Sequence, residues 1–187
     1  MKKIVVVFTL CFFVVTNGSA QATPPATNRS PMDAGYYPRN YPLLKIQDKF
    51  SERLLARIIY SRPQVNTRVI FGNIIEYGKV CRLGDNEATE IEFYTDVKIN
   101  DIKVKKGRYS MYGIPNAEKW TIIINKETDT WGSFKYDETK DIVRLDAPIQ
   151  KQNDPLESFA MVFEKSASGA NLIVGWDISV VSFPIVF

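Results

Sequence analysis

The chain has 187 residues, of which 45% are hydrophobic and 24% are charged, a composition typical of a globular protein. The length favours one domain over several. The net charge is only +3 and no long run of Lys and Arg occurs, so the composition argues against binding to nucleic acid or to an acidic membrane surface.

Residues 1–20 have the pattern of a cleaved signal peptide. Lys2 and Lys3 precede an unbroken apolar run over residues 4–15, and small residues lead to a predicted cleavage after Ala20, with cleavage after Ala22 as the alternative. The run is shorter than the roughly 20 residues that span a bilayer. We therefore predict export to the periplasm or beyond the cell, with no membrane span after cleavage.

The two cysteines fall on either side of the predicted cleavage site. Cys11 lies in the apolar run and lacks the small preceding residue of a lipoprotein, so no lipid anchor is expected. Cys81 would be the single cysteine of the mature chain, which leaves no intramolecular disulfide. We expect it to pack as a small hydrophobic residue, with a reactive thiol as the alternative.

The segment after the signal peptide, residues 21–42, is rich in Pro, Thr, Ser and Asn. Proline blocks regular structure, so we predict a flexible lead-in here. Residues 43–187 would then form one domain. The tyrosines near the end of the lead-in, Tyr36, Tyr37 and Tyr41, are expected to pack on that domain, with partner contact as the alternative.

Short apolar or alternating runs dominate the predicted domain, and Gly, Asn and Asp separate them. In residues 90–94 the acids alternate with Ile91 and Phe93, which places these two on a core face. Residues 69–77 contain turn signals and are expected to form a folded loop or one helical turn. The pattern predicts an all-β fold, a single antiparallel sandwich or flattened barrel of about nine or ten short strands. The clearest predicted strands are residues 54–61, 88–94, 108–114, 120–125, 132–136, 142–145, 158–163, 172–176 and 179–187.

A family resemblance covers essentially the whole predicted domain. It is marked by Tyr60, Ser61, Arg62, Pro63, Arg68, Ile70, Phe71, Gly72, Tyr77, Gly78, Lys79, Val80, Arg82, Gly84, Asn86, Glu87, Ala88, Thr89, Gly107, Tyr109, Ser110, Ile114, Pro115, Trp120, Asn125, Trp131, Gly132, Tyr136 and Arg144. With these residues the chain resembles DUF 2911, a family of uncharacterised domains. The family pattern usually has Trp, Thr and Ala where this chain has Cys81, Leu83 and Asp85. The resemblance implies an exported β domain and assigns no activity.

Several chemistries are excluded by what the sequence lacks. It contains no histidine, which removes Ser-His-Asp and Cys-His catalysis and the usual zinc and iron sites. It has no phosphate-binding glycine loop, and the stretch from Asp85 to Glu87 lacks the ligand spacing of a calcium loop. We therefore predict no cofactor and no metal.

A polar cluster between residues 60 and 89 is the main candidate site. Arginine presents a planar fork of donors that matches carboxylate, phosphate or sulfate, and Asn, Thr and Tyr add neutral hydrogen bonds. The candidate ligand-binding residues are Arg62, Arg68, Tyr77, Arg82, Asn86, Glu87 and Thr89. In the alternative interpretation, Arg62 and Arg82 pair with Glu87 and backbone carbonyls and tie the long loop to the sheet.

Three functions are compatible with this sequence. The preferred one is a non-enzymatic domain that binds a small polar or anionic ligand, with a glycan as one example. A histidine-free hydrolase or isomerase would use Glu87 as general acid or base and Arg82 to stabilise charge. An envelope scaffold or protein-interaction module is the third. Trp131 and Tyr136, which flank Gly132, are the aromatic side chains most expected to be exposed for sugar stacking.

Overall fold

A computed structural model describes residues 26, 28–48 and 51–187. The predicted signal peptide lies outside the described residues. Within the described part, eleven strands form two antiparallel sheets that do not close into a barrel. This confirms the all-β prediction and selects the sandwich over the barrel.

The larger sheet has seven strands, in the order β1-β2-β4-β7-β8-β9, with the short β3 paired to β7. A short helix α1 (Tyr41–Ile46) follows β1, and one 3-10 turn (Glu138–Lys140) precedes β9. The strands are β1 (Met32–Tyr37), β2 (Ala56–Ser61), β3 (Cys81–Arg82), β4 (Thr89–Phe93), β7 (Gly107–Pro115), β8 (Lys119–Asn125) and β9 (Asp141–Pro148).

The smaller sheet has four strands in the order β10-β11-β5-β6. Its strands are β5 (Val97–Ile99), β6 (Ile102–Val104), β10 (Gln150–Ser166) and β11 (Gly169–Val186). The chain therefore leaves the larger sheet after β4, forms the β5-β6 hairpin on the opposite layer, and returns as β7. The long β10-β11 hairpin completes the layer.

The core fills the space between the sheets, and β4 shows how the sequence builds it. Thr89, Ile91 and Phe93 are buried, while Glu90 and Glu92 are half-buried on the other face. Glu92 forms an ion pair with Arg57 at 2.8 Å, directly across the ladder. The alternation predicted for this strand is confirmed, because burial changes with every residue of an antiparallel strand.

Strand β8 is buried on both faces, as its apolar sequence predicts. Its Ile122 and Ile124 belong to the main core, whereas Ile123 packs on the outer face with Tyr112 and Ala88. The loop that follows β8 supplies a cover for this outer cluster, since Tyr136 packs against it. The Tyr112 and Tyr136 rings meet edge to face at 5.1 Å.

The strand predicted over residues 132–136 is wrong. These residues form turns in the loop between β8 and β9, where Gly132 has a φ of 60° and the Tyr136 amide donates to the Ser133 carbonyl at 3.2 Å. Such a backbone cannot continue a ladder. The stretch pairs with the sheet only next to Gly132, through an isolated bridge between Trp131 and Glu87.

The prediction of a flexible lead-in is wrong for residues 32–37. They form β1, which pairs with β2 along its whole length. Pro31 and Pro38 flank this strand and do not interrupt it, so neither removes a ladder hydrogen bond. Tyr37 stacks on Phe187 at 5.0 Å and donates its hydroxyl to the Gly169 carbonyl at 2.6 Å, which confirms the expected packing for this tyrosine.

Two further differences concern strand length. The two strands predicted over residues 172–176 and 179–187 lie, except for Phe187, in the single strand β11, which tolerates a positive φ at Asp177 opposite Leu156. The sequence did not predict β3, β5 and β6, which have only two or three residues each. The folded loop expected over residues 69–77 is confirmed.

Candidate functional site

A cleft of about 780 Å³ opens beside β3, and we call it the basic cleft. Its walls come from the loop between β2 and β3, from residues 81–85, from Ser133 and Phe134, and from Arg29 and Ser30. Trp176 of β11 also lines it, although only 4% of this residue is exposed. The size is within the range of small-molecule sites.

The loop over residues 62–80 is held in place by buried side chains and backbone hydrogen bonds. Ile70 is fully buried, and the Phe71 ring lies 5.0 Å from that of Trp120. The Val65 amide donates to the Glu157 carbonyl at 2.8 Å. The wall of the cleft is therefore fixed on the core although it lacks regular secondary structure.

Positive charge exceeds negative charge around the basic cleft. The charged residues that line it are Arg29, Arg68, Lys79, Arg82, Glu76 and Asp85. Arg82 pairs with Asp85 at 2.5 Å, and Lys79 pairs with Glu76 at 2.5 Å. Two cations remain after these pairs are set aside.

Those two cations are Arg29 and Arg68. Neither has a carboxylate within ion-pair distance among residues 26, 28–48 and 51–187. The Arg68 guanidinium donates only to backbone carbonyls, those of Val65 at 3.0 Å and Gln64. An excess of positive charge in a recess attracts anions.

Asp85 holds Arg82 against the β3 end of the cleft. Its carboxylate accepts from Arg82 at 2.5 Å and from the Ser30 hydroxyl at 3.0 Å, and its amide donates to the Ser61 hydroxyl at 2.6 Å. Burial alone would raise the pKa of Asp85, but the hydrogen bonds from Arg82, the Asn86 backbone and Ser30 lower it below the usual value. The carboxylate therefore stays ionised and restrains the guanidinium.

Residues 130–134 form a wall that the basic cleft shares with a second depression, and we call them the shared wall. Their backbone is fixed by two hydrogen bonds, from the Ala88 amide to the Thr130 carbonyl at 3.0 Å and from Gly132 to the Asn86 carbonyl at 2.8 Å. A Cβ at Gly132 would lie 3.1 Å from the Phe134 ring and 3.3 Å from Arg82 Nη1. The wall thus sits directly on the arginine.

A polar network anchors the loop that contains the shared wall. Asp141 accepts from Asn125 at 2.7 Å, from Tyr136 at 2.5 Å and from Arg144 at 2.7 Å. Burial and then the hydrogen bond to Asp141 raise the pKa of Tyr136 to about 12. Each of these donors has Asp141 as its acceptor, so the network anchors the loop.

The second depression is a groove of about 300 Å³, which we call the acidic groove. Thr130 and Trp131 line it, together with Met32, Glu87, Glu90 and Asp129. The hydroxyl groups of Thr130 and Tyr112 form a hydrogen bond of 2.9 Å. Trp131 is 58% exposed, which confirms the expectation for this residue, whereas Tyr136 is half-buried in the anchoring network.

Of the predicted site residues, Arg68 and Arg82 line the basic cleft. Arg62 lies elsewhere: it pairs with Asp33 at 3.0 Å and donates to the Phe159 carbonyl at 3.1 Å. Thr89 is buried and donates its hydroxyl to the Leu83 carbonyl. Arg62 and Thr89 therefore connect strands and contribute nothing to the lining of the cleft.

The other three predicted residues also lie outside the cleft lining. Asn86 takes a left-handed conformation in the turn before β4, Tyr77 is 47% exposed, and Glu87 is exposed in the acidic groove. The alternative interpretation paired Arg62 and Arg82 with Glu87, and this pairing is wrong. Arg62 and Arg82 take Asp33 and Asp85 as their partners.

The cleft also contains residues that the candidate set omitted. Lys79 belonged to the predicted polar stretch but was left out of the set, and Arg29 lies in the supposed lead-in. Phe134, 80% exposed, falls in the strand that was wrongly predicted. No local sequence signal indicated that Arg29 or Trp176 would reach the cleft.

Cys81 lines the cleft, but its thiol is expected to react slowly as a nucleophile. Burial raises the pKa of its thiol to about 12, against the opposing effects of Arg82 and of a hydrogen bond with the Gly113 backbone. A thiol with such a pKa is protonated at neutral pH and is a poor nucleophile. Within the described part of the chain, no group of three or more Cys, Asp or Glu side chains could hold a metal ion.

The fold and the site together define an all-β sandwich domain with a basic, aromatic-lined cleft. The chain belongs to the family described as "Protein of unknown function (DUF2911)", whose model matches residues 42–185. No curated protein and no solved structure matches the chain. Among the helices of the described residues, none is both long and apolar enough to cross a membrane.

Proposed function

We propose that the protein is a non-enzymatic binding domain that takes a small anionic ligand in the basic cleft. The observation that carries this proposal is the pair Arg29 and Arg68, two cations without carboxylate partners among the described residues, at a cleft of about 780 Å³. Guanidinium groups bind carboxylates and phosphates through paired hydrogen bonds. An acidic glycan is within this class.

The lining of the cleft favours binding over catalysis. Its two carboxylates, Glu76 and Asp85, are each paired with a cation, and its thiol, Cys81, is protonated. The lowered pKa of Asp85 makes it a weak base, and the raised pKa of Cys81 makes it a poor nucleophile at neutral pH. A hydrolase built on Glu87 and Arg82 is less well supported, because the two residues line different depressions.

We also propose that the protein acts after export, with residues 1–20 removed. The support is the charged, apolar and small-residue order of that segment. Intact-mass measurement of the protein recovered from outside the cytoplasm tests it. A start at residue 21 or 23 supports export by cleavage, and a retained leader contradicts it.

The test of ligand binding is a comparison of urea unfolding with and without acetate, sulfate, phosphate and glucuronate at fixed ionic strength. A ligand present at about 100 times its Kd should stabilise the native state by about 2.7 kcal/mol. Arg68→Ala should lose this stabilisation, since Arg68 supplies an unbalanced cation. No stabilisation by any anion would contradict the proposal.

Arg53→Ala is the matched control for charge. Arg53 is exposed, lies before β2 and does not line the cleft. Its replacement removes the same net charge from the surface without touching the site. Equal losses in both variants would show that the anions act on overall charge, and a loss confined to Arg68→Ala supports the cleft.

A further inference from the structure

Phe134 presents its ring to solvent at the basic cleft. The residue lines the cleft and is 80% exposed. Before it in the chain, the Gly132 amide donates to the Asn86 carbonyl at 2.8 Å. After it, the Tyr136 amide donates to the Ser133 carbonyl at 3.2 Å. The exposed ring is therefore carried by a backbone that hydrogen bonds hold on both sides.

Gly132 brings this ring next to Arg82. The glycine has a φ of 60°, and a Cβ at this position would lie 3.1 Å from the Phe134 ring and 3.3 Å from Arg82 Nη1. The ring and the guanidinium thus border the same small space, which stays open because glycine has no side chain. An aromatic surface and a cation are therefore neighbours on the wall of the cleft.

Part of the Arg82 guanidinium has no protein acceptor. Its Nη2 donates to Asp85 at 2.5 Å, whereas Nη1 forms no hydrogen bond within the part of the chain that the structure describes. The Arg82 side chain lines the cleft and is 32% exposed. Because a guanidinium has five N–H donors, the pairing with Asp85 leaves Nη1 available to a second acceptor.

The cleft also exposes apolar surface that an inorganic anion would leave uncovered. Ile74 lines the cleft together with Phe134, and it is 46% exposed. Removing such surface from water is favourable. The lining therefore suits a ligand that has an apolar part as well as a negative charge.

We infer that the basic cleft binds an aromatic carboxylate, whose ring packs on Phe134 and whose acid group accepts hydrogen bonds from Arg82. This inference rests on the proposed function and names the class of anion. Arg29 and Arg68, which lack carboxylate partners among the described residues, attract the anion to the cleft. A flat ring is favoured over an alkyl chain, because a pair of aromatic rings is stabilised beyond the effect of the area that it buries.

The first experiment compares four probes on the wild-type full chain by NMR titration of backbone amide signals at constant ionic strength. Acetate carries the charge alone, benzyl alcohol carries the ring alone, benzoate carries both, and glucuronate carries a carboxylate on a sugar ring. Benzoate should bind at least about tenfold more tightly than acetate or glucuronate, because its ring covers Phe134. Benzyl alcohol should bind about tenfold more weakly than benzoate, because it lacks the charge that the arginines attract.

The outcomes separate this inference from the proposed function. If acetate binds and benzoate binds no more tightly, the assignment of an aromatic carboxylate is wrong and the proposed function stands. If no anion binds, both fail. Benzyl alcohol that binds as tightly as benzoate would contradict both, since charge would then contribute nothing. Tighter binding of glucuronate than of benzoate would overturn the aromatic ring in favour of a sugar ring and leave the proposed function intact.

The second experiment repeats the acetate and benzoate titrations with Phe134→Ala. Loss of the ring should reduce the benzoate affinity about tenfold and leave the acetate affinity unchanged. Trp131→Ala is the matched control, because Trp131 is an exposed aromatic residue of the same wall that lines the acidic groove instead. This control should bind both probes as the wild type does.

Two results with Phe134→Ala would overturn the inference. One is an unchanged benzoate affinity, and the other is an equal loss of acetate and benzoate affinity, which would show that the ring does not contact the ligand. Because Phe134 is 80% exposed, its replacement is expected to leave the fold intact. The wild-type titrations decide the question if the variant does not fold.

Discussion

The basic cleft and the acidic groove lie on the two sides of the shared wall and differ in how their charges are satisfied. In the groove, Arg108 pairs with both Glu90 and Asp129, and the other acid, Glu87, faces solvent. In the cleft, Arg29 and Arg68 are also exposed, and they lack carboxylate partners among the described residues. Unpaired charges exposed to water cost little on either side, so the two depressions differ in the sign of the charge they offer: the groove has an unpaired acid, and the cleft has two unpaired arginines that attract anions.

The largest expected difference between the two depressions is in thiol reactivity. Burial raises the pKa of Cys81 to about 12, so its alkylation by iodoacetamide at pH 8 should be roughly a thousandfold slower than that of an ordinary exposed cysteine. Met32→Cys places a thiol in the acidic groove as the matched comparison, since Met32 is 53% exposed. Peptide-resolved mass spectrometry gives both rates, and equal rates would show that the cleft is as open as the groove.

The next effect concerns the anchor of the shared wall. Asp141→Ala removes the acceptor of Asn125, Tyr136 and Arg144, and should lower the free energy of unfolding by about 2–3 kcal/mol. Urea unfolding measures it. Asp146→Ala is the control, because Asp146 accepts from exposed Lys119 and Thr121 and should cost about 1 kcal/mol or less. Similar losses would mean that the loop does not depend on Asp141.

A smaller effect separates Arg62 from Arg82. Arg62→Ala should lower the free energy of unfolding by about 1 kcal/mol, because its ion pair with Asp33 is more than one-third exposed, and should leave acetate binding unchanged. Arg82→Ala should weaken anion binding, because Arg82 lines the basic cleft and its loss leaves Asp85 without its cationic partner there. Calorimetric titration of both variants checks this. Loss of binding in Arg62→Ala would place the ligand near β1 and away from the cleft.

The smallest expected effect is on the acid dependence of stability. The pKa of Asp85 is lower in the folded than in the unfolded state, so the unfolded state binds more protons and the contribution of Asp85 to stability is present above about pH 4 and lost as pH falls further. Asp85→Asn should therefore flatten the fall in stability between about pH 4 and pH 2. Urea unfolding across this range measures it, and an unchanged slope would contradict the pairing.

The sequence was most informative where burial alternates and least where chain segments converge. In β4 apolar and acidic residues alternate, which indicates the face of the sheet on which each residue lies. Ile91 and Phe93 could therefore be placed in the core. Strands of two or three residues, such as β3, are too short for a period, and the stretch after Gly132 shows that an alternating pattern can form turns where a residue has a positive φ.

The site was predictable only in part, for a physical reason. Residues close in sequence separate in a β fold, because a turn at residues 84–86 sends Glu87 to the acidic groove while Arg82 stays at the cleft. Residues far apart converge instead, as Arg29, Arg82 and Trp176 do. Sequence proximity therefore indicated two residues that line the cleft, Arg68 and Arg82, and only the pairing of strands could supply the others.

The insertion of the β5-β6 hairpin into the opposite layer has a consequence for folding kinetics. The β7-β8, β8-β9 and β10-β11 pairs join consecutive segments, so each closes a short loop at low entropic cost. The pairing of β5 with β11 instead joins Lys98 to Val186 and must close more than half of the domain. The pairing of β5 with β11 is thus one of the long-range closures of the fold, like the contact of Tyr37 with Gly169, and we expect it to form after the hairpins.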